Sequence, residues 1–314
     1  MWIESGRLMV FRKTFKKLKI FLEMIKFEHT LFALPFAYVG AILVQKGVPS
    51  AHDLIWITLA MVGARTAAMS LNRLIDLSID SLNPRTAKRA LPSGLLSVKG
   101  VWIWVILSFV LLLFSAAQLS HLALVLSPGA IVVLSFYPYT KRFSWTCHLF
   151  LGFGLSLAPV GAWIAIADRV DLAPFMLGMG VVFWVAGFDI IYAVEDYDFD
   201  RRYGIYSIPA CFGLKKALAI ATAFHILAII FFIFVAFILN LGLLYFLGIF
   251  IAMILLFKQH QLVSPDDLSR AGVAFFNLNG ALSMTVFVFT LLDVLFPINV
   301  SSLAINLVSF VLSQ

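Results

Sequence analysis

The sequence predicts an all-α, polytopic membrane protein with about nine transmembrane helices in one bundle. Three observations predict it. The chain of 314 residues is 62% hydrophobic and only 12% charged, with a mean hydropathy of +1.01, far outside the range of soluble domains. Its apolar residues fall into runs long enough to cross a bilayer, which takes about 20 residues each. Its Lys and Arg residues gather in alternate loops between those runs.

Three segments follow along the chain. Residues 1–26 carry Arg7, Arg12, Lys13, Lys16, Lys17, Lys19 and Lys26 among Phe11, Phe15, Leu18, Ile20, Phe21 and Met24, the pattern of a basic amphipathic helix lying on the membrane surface. A cleavable signal peptide would need a short apolar core followed by small residues, and this stretch has neither. The body, 27–296, contains apolar spans near 28–44, 54–75, 101–119, 122–139, 145–166, 173–194, 217–239, 242–257 and 271–296. The 297–314 tail is broken by Asn299, Ser301, Ser302, Asn306 and Ser309. It reads as interfacial or packed on the bundle rather than as a tenth span.

Charge sets the orientation. All of the 23 Lys and Arg residues except Lys46, Arg65 and Arg169 lie before the first span or in every second loop. The positive-inside rule makes those segments cytoplasmic, which describes a multi-pass protein of an inner or plasma membrane. The net charge of +7 is explained by that topology and by anionic lipid, so a nucleic-acid partner has no support. Cys147 and Cys211 form no CxxC pair, which removes disulfide and zinc readings. The six histidines are scattered and read as core or interface residues.

Seven of the sixteen acids fall in two short stretches: Asp76 and Asp80, then Asp189, Glu195, Asp196, Asp198 and Asp200. A charge at the bilayer centre costs roughly 2.5–3.5 kcal/mol on insertion scales, so acids at the ends of membrane helices point to a functional site. Asn72, Asp76 and Asp80 are spaced four apart, which stacks them on one helix face, and Arg65 lies two turns earlier on the same face. Asp196 and Asp200 repeat the spacing, with Asp189 seven residues before. Asp198 points away from that face and reads as a solvated loop acid. Four spans separate the clusters, so both lie at cytoplasmic helix ends. Pro92, Gly94 and Lys99 follow one cluster and Pro209, Gly213 and Lys215 the other, which hints at a parallel internal duplication.

Mg²⁺ takes oxygen ligands and is usually held by one or two carboxylates plus substrate phosphate. Two facing Asp pairs suit metal ions that clamp a diphosphate. Arg85, Lys88 and Arg89, then Lys141 and Arg142, then Arg201 and Arg202 supply cations for its oxygens. In a membrane protein the diphosphate with an apolar tail is a polyprenyl diphosphate. Ordinary topology-setting charge would explain one such cluster, but two spaced copies favour the metal-diphosphate site.

At these residues a family resemblance enters. NRLIDLSIDSLNPRTAKRALPSG (72–94) resembles the first Asp-rich motif of the UbiA superfamily of intramembrane aromatic prenyltransferases, NDxxDxxxD. DIIYAVEDYDFDRRYGIYSIPACFG (189–213) resembles the second, and FYPYTKR (136–142) resembles the tyrosine and basic loop between them. The resemblance implies Mg²⁺-dependent transfer of a prenyl chain to an aromatic ring. Asn72, Asp76, Asp196 and Asp200 would hold metal and diphosphate with Asp80 in support. Arg85, Lys141 and Arg89, with Arg142 and Arg201, would hold phosphate oxygens, and Asp189 or Tyr192 would place the acceptor or take its proton. Arg73 stands where the motif has its first Asp. NRxID, DFDRRxGxxSIP and FEHTLFALPFA (27–37) resemble the branch linked to menaquinone synthesis through futalosine. Its acceptor would be 1,4-dihydroxy-6-naphthoate, and related proteins use 4-hydroxybenzoate in ubiquinone synthesis. Two other classes compete: a secondary transporter, whose charges should lie deeper in the bundle, and a prenyl-diphosphate hydrolase or cyclase. Prenyl chain length and oligomeric state are left open by the sequence.

Overall fold

A computed structural model describes residues 17–26, 30–265, 267–268 and 270–298. Among these residues the regular structure is helical, and the only β contact is an isolated bridge between Ser264 and Asp267. Helix α1 covers 17–24. It is followed by α2 (Thr30–Gln45), α3 (Ala51–Ile75), α4 (Leu77–Leu82), α5 (Val98–Leu119), α6 (His121–Phe136), α7 (Cys147–Ala167) and α8 (Leu172–Ala193). Then come α9 (Tyr197–Tyr203), α10 (Ile208–Phe212), α11 (Leu214–Leu239), α12 (Leu243–Gln261), α13 (Ala271–Val273) and α14 (Asn279–Leu295).

Eight described helices are long and apolar enough to cross a membrane, and the apolar part of α2, Ala33–Gln45, is shorter. The chain is therefore an integral, multi-pass membrane protein, close to the expected nine spans. The span expected at 122–139 continues to Arg142 by tightening into a 3₁₀ turn, Tyr137–Arg142, with Pro138 at its start. The span expected at 271–296 is interrupted by a π-turn, Ala274–Leu278. Ser50, Ser97 and Ser120 cap α3, α5 and α6 by accepting from backbone N–H groups, satisfying donors that a helix start leaves open.

The two acid-bearing helices, α3 and α8, occupy equivalent places. Each ends in a short helix, α4 or α9, and each packs along the next long helix, α5 or α11. Helix α2 packs on α7 and α14, and α14 packs on α12. Helices in lipid associate through close packing rather than through hydrophobic drive, so small residues mark the tightest crossings. A Cβ on Gly40 of α2 would lie 2.3 Å from the Pro159 carbonyl oxygen of α7, and one on Gly152 of α7 would lie 2.4 Å from that of Val182 on α8. The core at these crossings holds Phe36, Trp184, Phe232 and Tyr245. Trp184 Nε1 donates to Asn279 Oδ1 at 3.0 Å, so its polar atom is satisfied where water is absent.

Helix α1 buries Phe21, Met24 and Ile25 against Leu91 and Val101, and Phe21 stacks on Trp104 with centroids 4.7 Å apart. The earlier part of the amphipathic segment, 1–16, and the tail from 299 onward lie outside the described residues.

Candidate active site

Three breaks in helical geometry build the site. Helix α3 stops at Asp76, whose φ of −86° and ψ of 1° leave the α region before α4 begins. Helix α8 tightens into a 3₁₀ turn, Val194–Asp196, and restarts as α9. Gly204, at φ +68°, then reverses the chain, a left-handed C-cap conformation that glycine adopts without steric cost. The third break is the 3₁₀ turn that carries Lys141.

Hydrogen bonds join the three. Lys141 Nζ donates to Asp76 Oδ2 at 2.6 Å, and its backbone carbonyl accepts from Tyr206 N–H at 2.8 Å. Asn72 Nδ2 donates to the same Asp76 oxygen at 3.1 Å. From the loop after α4, Asn83 Nδ2 donates to Asp196 Oδ1 at 2.9 Å. Arg85 grips both oxygens of Asp196, and a third nitrogen donates to the Tyr192 hydroxyl at 2.8 Å. Ser207 Oγ donates to Asp200 Oδ2 at 2.8 Å while capping α10. Asp80 takes a two-pronged bond from Arg89 Nη1, at 2.8 Å to each oxygen.

Burial and charge compete at this face. Burial pushes the Asp76 carboxyl above the usual carboxylate range, and Lys141 pulls it back down. Burial would lower the Arg85 pKa, but its hydrogen bonds to Asp196 and Tyr192 raise it instead, so the guanidinium keeps its charge.

Asp189 meets His148, one of the histidines that the sequence reading took as core or interface residues. The two are 2.7 Å apart through Nδ1 and Oδ2. His148 Nε2 accepts from Ile208 N–H at 3.1 Å, which leaves Nδ1 as the protonated nitrogen that donates to Asp189.

An apolar chamber of about 510 Å³ lies among α3, α5, α6 and α7, lined by residues such as Met61, Ala116, Ala130 and Gly161. Its polar lining residues are Arg65, Ser127 and Tyr137. Tyr137 links chamber and acids, for it lines the one and begins the 3₁₀ turn whose Lys141 donates to Asp76.

The structure thus brings Asn72, Asp76, Asp196, Asp200, Arg85 and Lys141 to one face. Asp80 and Arg89 pair beside it, with Arg73 Nη1 at 3.9 Å from Asp80. Arg142 instead donates to the Ile75 carbonyl and lies over the Tyr139 ring. Arg201 bonds Tyr197 on its own helix at 2.9 Å, and Asp198 is exposed. Among the described residues, no three His, Cys, Asp or Glu side chains converge as a preformed metal cluster. Sequence reasoning missed Asn83 and His148. Asn83 stands before the Pro-Arg of the first motif and was there to find; His148 depends on how α7 packs on α8 and left no local signal.

Residues 33–311 match the model of the UbiA prenyltransferase family. The chain belongs to that family. Among curated proteins, this UbiA chain is 31% identical over 270 residues to the 4-hydroxybenzoate octaprenyltransferase of Marinobacter nauticus, covering 85% of this chain and 90% of the relative. It is 25% identical over 253 residues to the protein of the same name from Francisella tularensis subsp. novicida, covering 80% and 88%. Among solved structures it resembles a UbiA homolog from Aeropyrum pernix K1, with TM-score 0.77, 36% identity, and 85% and 98% covered. It also shares the fold of a UbiA homolog from Archaeoglobus fulgidus bound to GPP and Mg²⁺, with TM-score 0.69, 20% identity, and 88% and 99% covered. The chain is a prenyltransferase, and its fold is that of the UbiA enzymes.

Proposed function

We propose that this prenyltransferase moves a polyprenyl chain from its diphosphate onto an aromatic hydroxy acid, 4-hydroxybenzoate or 1,4-dihydroxy-6-naphthoate, in quinone biosynthesis. The site is cytoplasmic, since the basic loops surround it, and the reaction needs Mg²⁺. One observation carries the reading: two carboxylate pairs from distant segments are held among Lys141, Asn83 and Arg85, and the turn that carries Lys141 also places Tyr137 in the wall of an apolar chamber. The names of the curated relatives and the GPP and Mg²⁺ bound to the Archaeoglobus homolog agree with it.

The residues suit the metal. Asp76 Oδ1 is buried with no hydrogen-bond partner, an uncommon condition for a carboxylate oxygen and one that a hard cation relieves. Asn72, Asp76, Asp196 and Asp200 would hold Mg²⁺, with Asp80 in support, and all present the oxygen donors that it prefers. When bound, Mg²⁺ offsets the charge that grows on the departing diphosphate.

The protein's own groups do the rest. Lys141 and Arg85 bind phosphate oxygens. The chamber takes the prenyl chain out of water. Tyr192, whose ring centre lies 4.4 Å from that of Phe275 with the planes tilted by 30°, offers an aromatic face to the developing allylic cation. The C1–O bond breaks with its electron pair leaving on the diphosphate, the ring carbon bonds to C1, and the ring hydrogen leaves as a proton. Asp189, held by His148, accepts it.

Mass spectrometry of product formed by purified protein in detergent tests the proposal, with geranyl diphosphate and either acceptor. A prenylated adduct that disappears with EDTA and in Asp76→Ala is expected. Release of diphosphate and prenol without adduct would mean a hydrolase, and the accepted ring identifies the pathway.

A further inference from the structure

We propose that Glu195 is a positioning residue: it holds the Arg85 guanidinium at Nη1 while Asp196 passes to Mg²⁺, so that the two freed nitrogens turn to the diphosphate on a fixed pivot. The inference rests on the metal-diphosphate reading and gives a role to an acid of the second motif that this reading leaves idle.

Tyr192, Glu195 and Asp196 are spaced so that they share one side of the turn that ends α8, as positions three and four apart do. All three meet the same guanidinium. Arg85 Nε donates to Asp196 Oδ1 at 3.0 Å, and Nη2 bonds Asp196 Oδ2. Nη1 donates to the Tyr192 hydroxyl at 2.8 Å, with Glu195 Oε2 3.6 Å away. The cation also lies over the Tyr192 ring, 5.2 Å from its centre. On its far side, Glu195 Oε1 lies against Gly272 of α13, 3.6 Å from where a Cβ would stand, so the carboxylate sits between that helix and the guanidinium.

The donors on Asp196 create the need. Its Oδ1 accepts from both Asn83 and Arg85 Nε, and its Oδ2 from Arg85 Nη2. The guanidinium must give up any oxygen that a divalent cation coordinates, since the two positive charges repel. Nε and Nη2 then form the planar edge that suits phosphate oxygens. Nη1 lies outside that edge, toward Tyr192 and Glu195. Tyr192 is a neutral acceptor, and an arginine left with it alone regains much of the freedom of a long side chain. Glu195 keeps a full negative charge beside Nη1 throughout the exchange. If charge were its only effect, a carboxylate this near a diphosphate would weaken binding by repulsion, so the sign of its effect separates the two accounts.

The test is isothermal titration calorimetry of the full-length protein in detergent with geranyl S-thiolodiphosphate, an unreactive diphosphate, in Mg²⁺ and in EDTA. With Mg²⁺, Glu195→Gln should raise the Kd by about three- to tenfold, the size of a half-buried charged contact. In EDTA, where Asp196 keeps Arg85, the Kd should stay within about twofold of native and the melting temperature close to it. In an Arg85→Lys background the same substitution should add less than about twofold, since the contact it removes is already gone. Glu195→Ala repeats the comparison, so either variant decides if the other is not recovered folded. An equal loss with and without Mg²⁺, or a lower melting temperature in EDTA, makes the contact a static brace. An unchanged or lower Kd in Mg²⁺ leaves Glu195 as an opposing charge. Either result overturns the pivot and leaves the metal-diphosphate reading standing. A native protein whose affinity does not rise with Mg²⁺ overturns both.

Discussion

Asn83 donates its side-chain amide to Asp196 at 2.9 Å, across 113 residues of sequence. The bond joins the loop after the first acidic motif to the second motif. Arg85, two residues further along, closes on the same carboxylate. The two halves of the molecule therefore meet at the atoms proposed to handle diphosphate.

Arg85→Lys should lower kcat/KM for geranyl diphosphate by roughly ten- to hundredfold. Lysine keeps the charge but loses the planar fork that serves Asp196 and Tyr192 together. Initial rates at varied geranyl diphosphate measure this. Native values in the variant would reduce the pair to an incidental surface contact.

Asp76→Asn preserves shape and removes the charge that Lys141 contacts and that the proposed Mg²⁺ would use. Half-saturation by Mg²⁺ should rise at least about tenfold, with kcat falling by about a hundredfold. Activity titrated with Mg²⁺ after EDTA treatment reads both. An unchanged Mg²⁺ curve would remove Asp76 from the ligand set.

His148→Ala frees Asp189 from its orienting donor and leaves Ile208 N–H unpaired. The expected result is a fall in kcat of about ten- to a hundredfold with little change in KM for geranyl diphosphate. A change confined to KM would assign His148 to substrate binding instead.

Gly161 borders the chamber and would meet nothing within 4 Å if given a Cβ. Gly161→Phe should fill part of that volume. Geranyl diphosphate should remain a substrate while octaprenyl diphosphate is lost, as read from product masses. Equal use of both chains would move the prenyl path elsewhere.

Gly40→Leu places side-chain atoms where the Pro159 carbonyl already stands. Overpacking of this kind costs about 1–3 kcal/mol or more, and α2 must move from α7. The detergent-solubilised variant should unfold several degrees below native in a thermal fluorescence scan. Equal melting would show that the crossing yields without strain.

Much of this was legible in the chain. The apolar runs determine the helices, because lipid leaves the backbone no other way to bond itself. The acids stood out because charge is so scarce among such residues. Their partners were hidden. Lys141 could be chosen as a cation near phosphate, but its bond to Asp76 depends on a 3₁₀ turn reaching across to α3. Arg201 and Arg142 looked equivalent to Arg85 in the sequence, yet one is turned along its own helix and the other toward a carbonyl. Helix direction at a chain break decides such matters, and periodicity does not report it. The π-turn that brings Phe275 to Tyr192 left no pattern either.

The bonds that cross between the halves also set an order of events during synthesis. Arg85 emerges 111 residues ahead of Asp196, and Asp76 leaves the ribosome 65 residues before Lys141. Until α8 and α9 arrive, the helices from α2 to α7 carry an unfinished set of charges. A nascent chain halted midway thus has no competent centre, and the enzyme acquires its chemistry only once its second half has been inserted and docked.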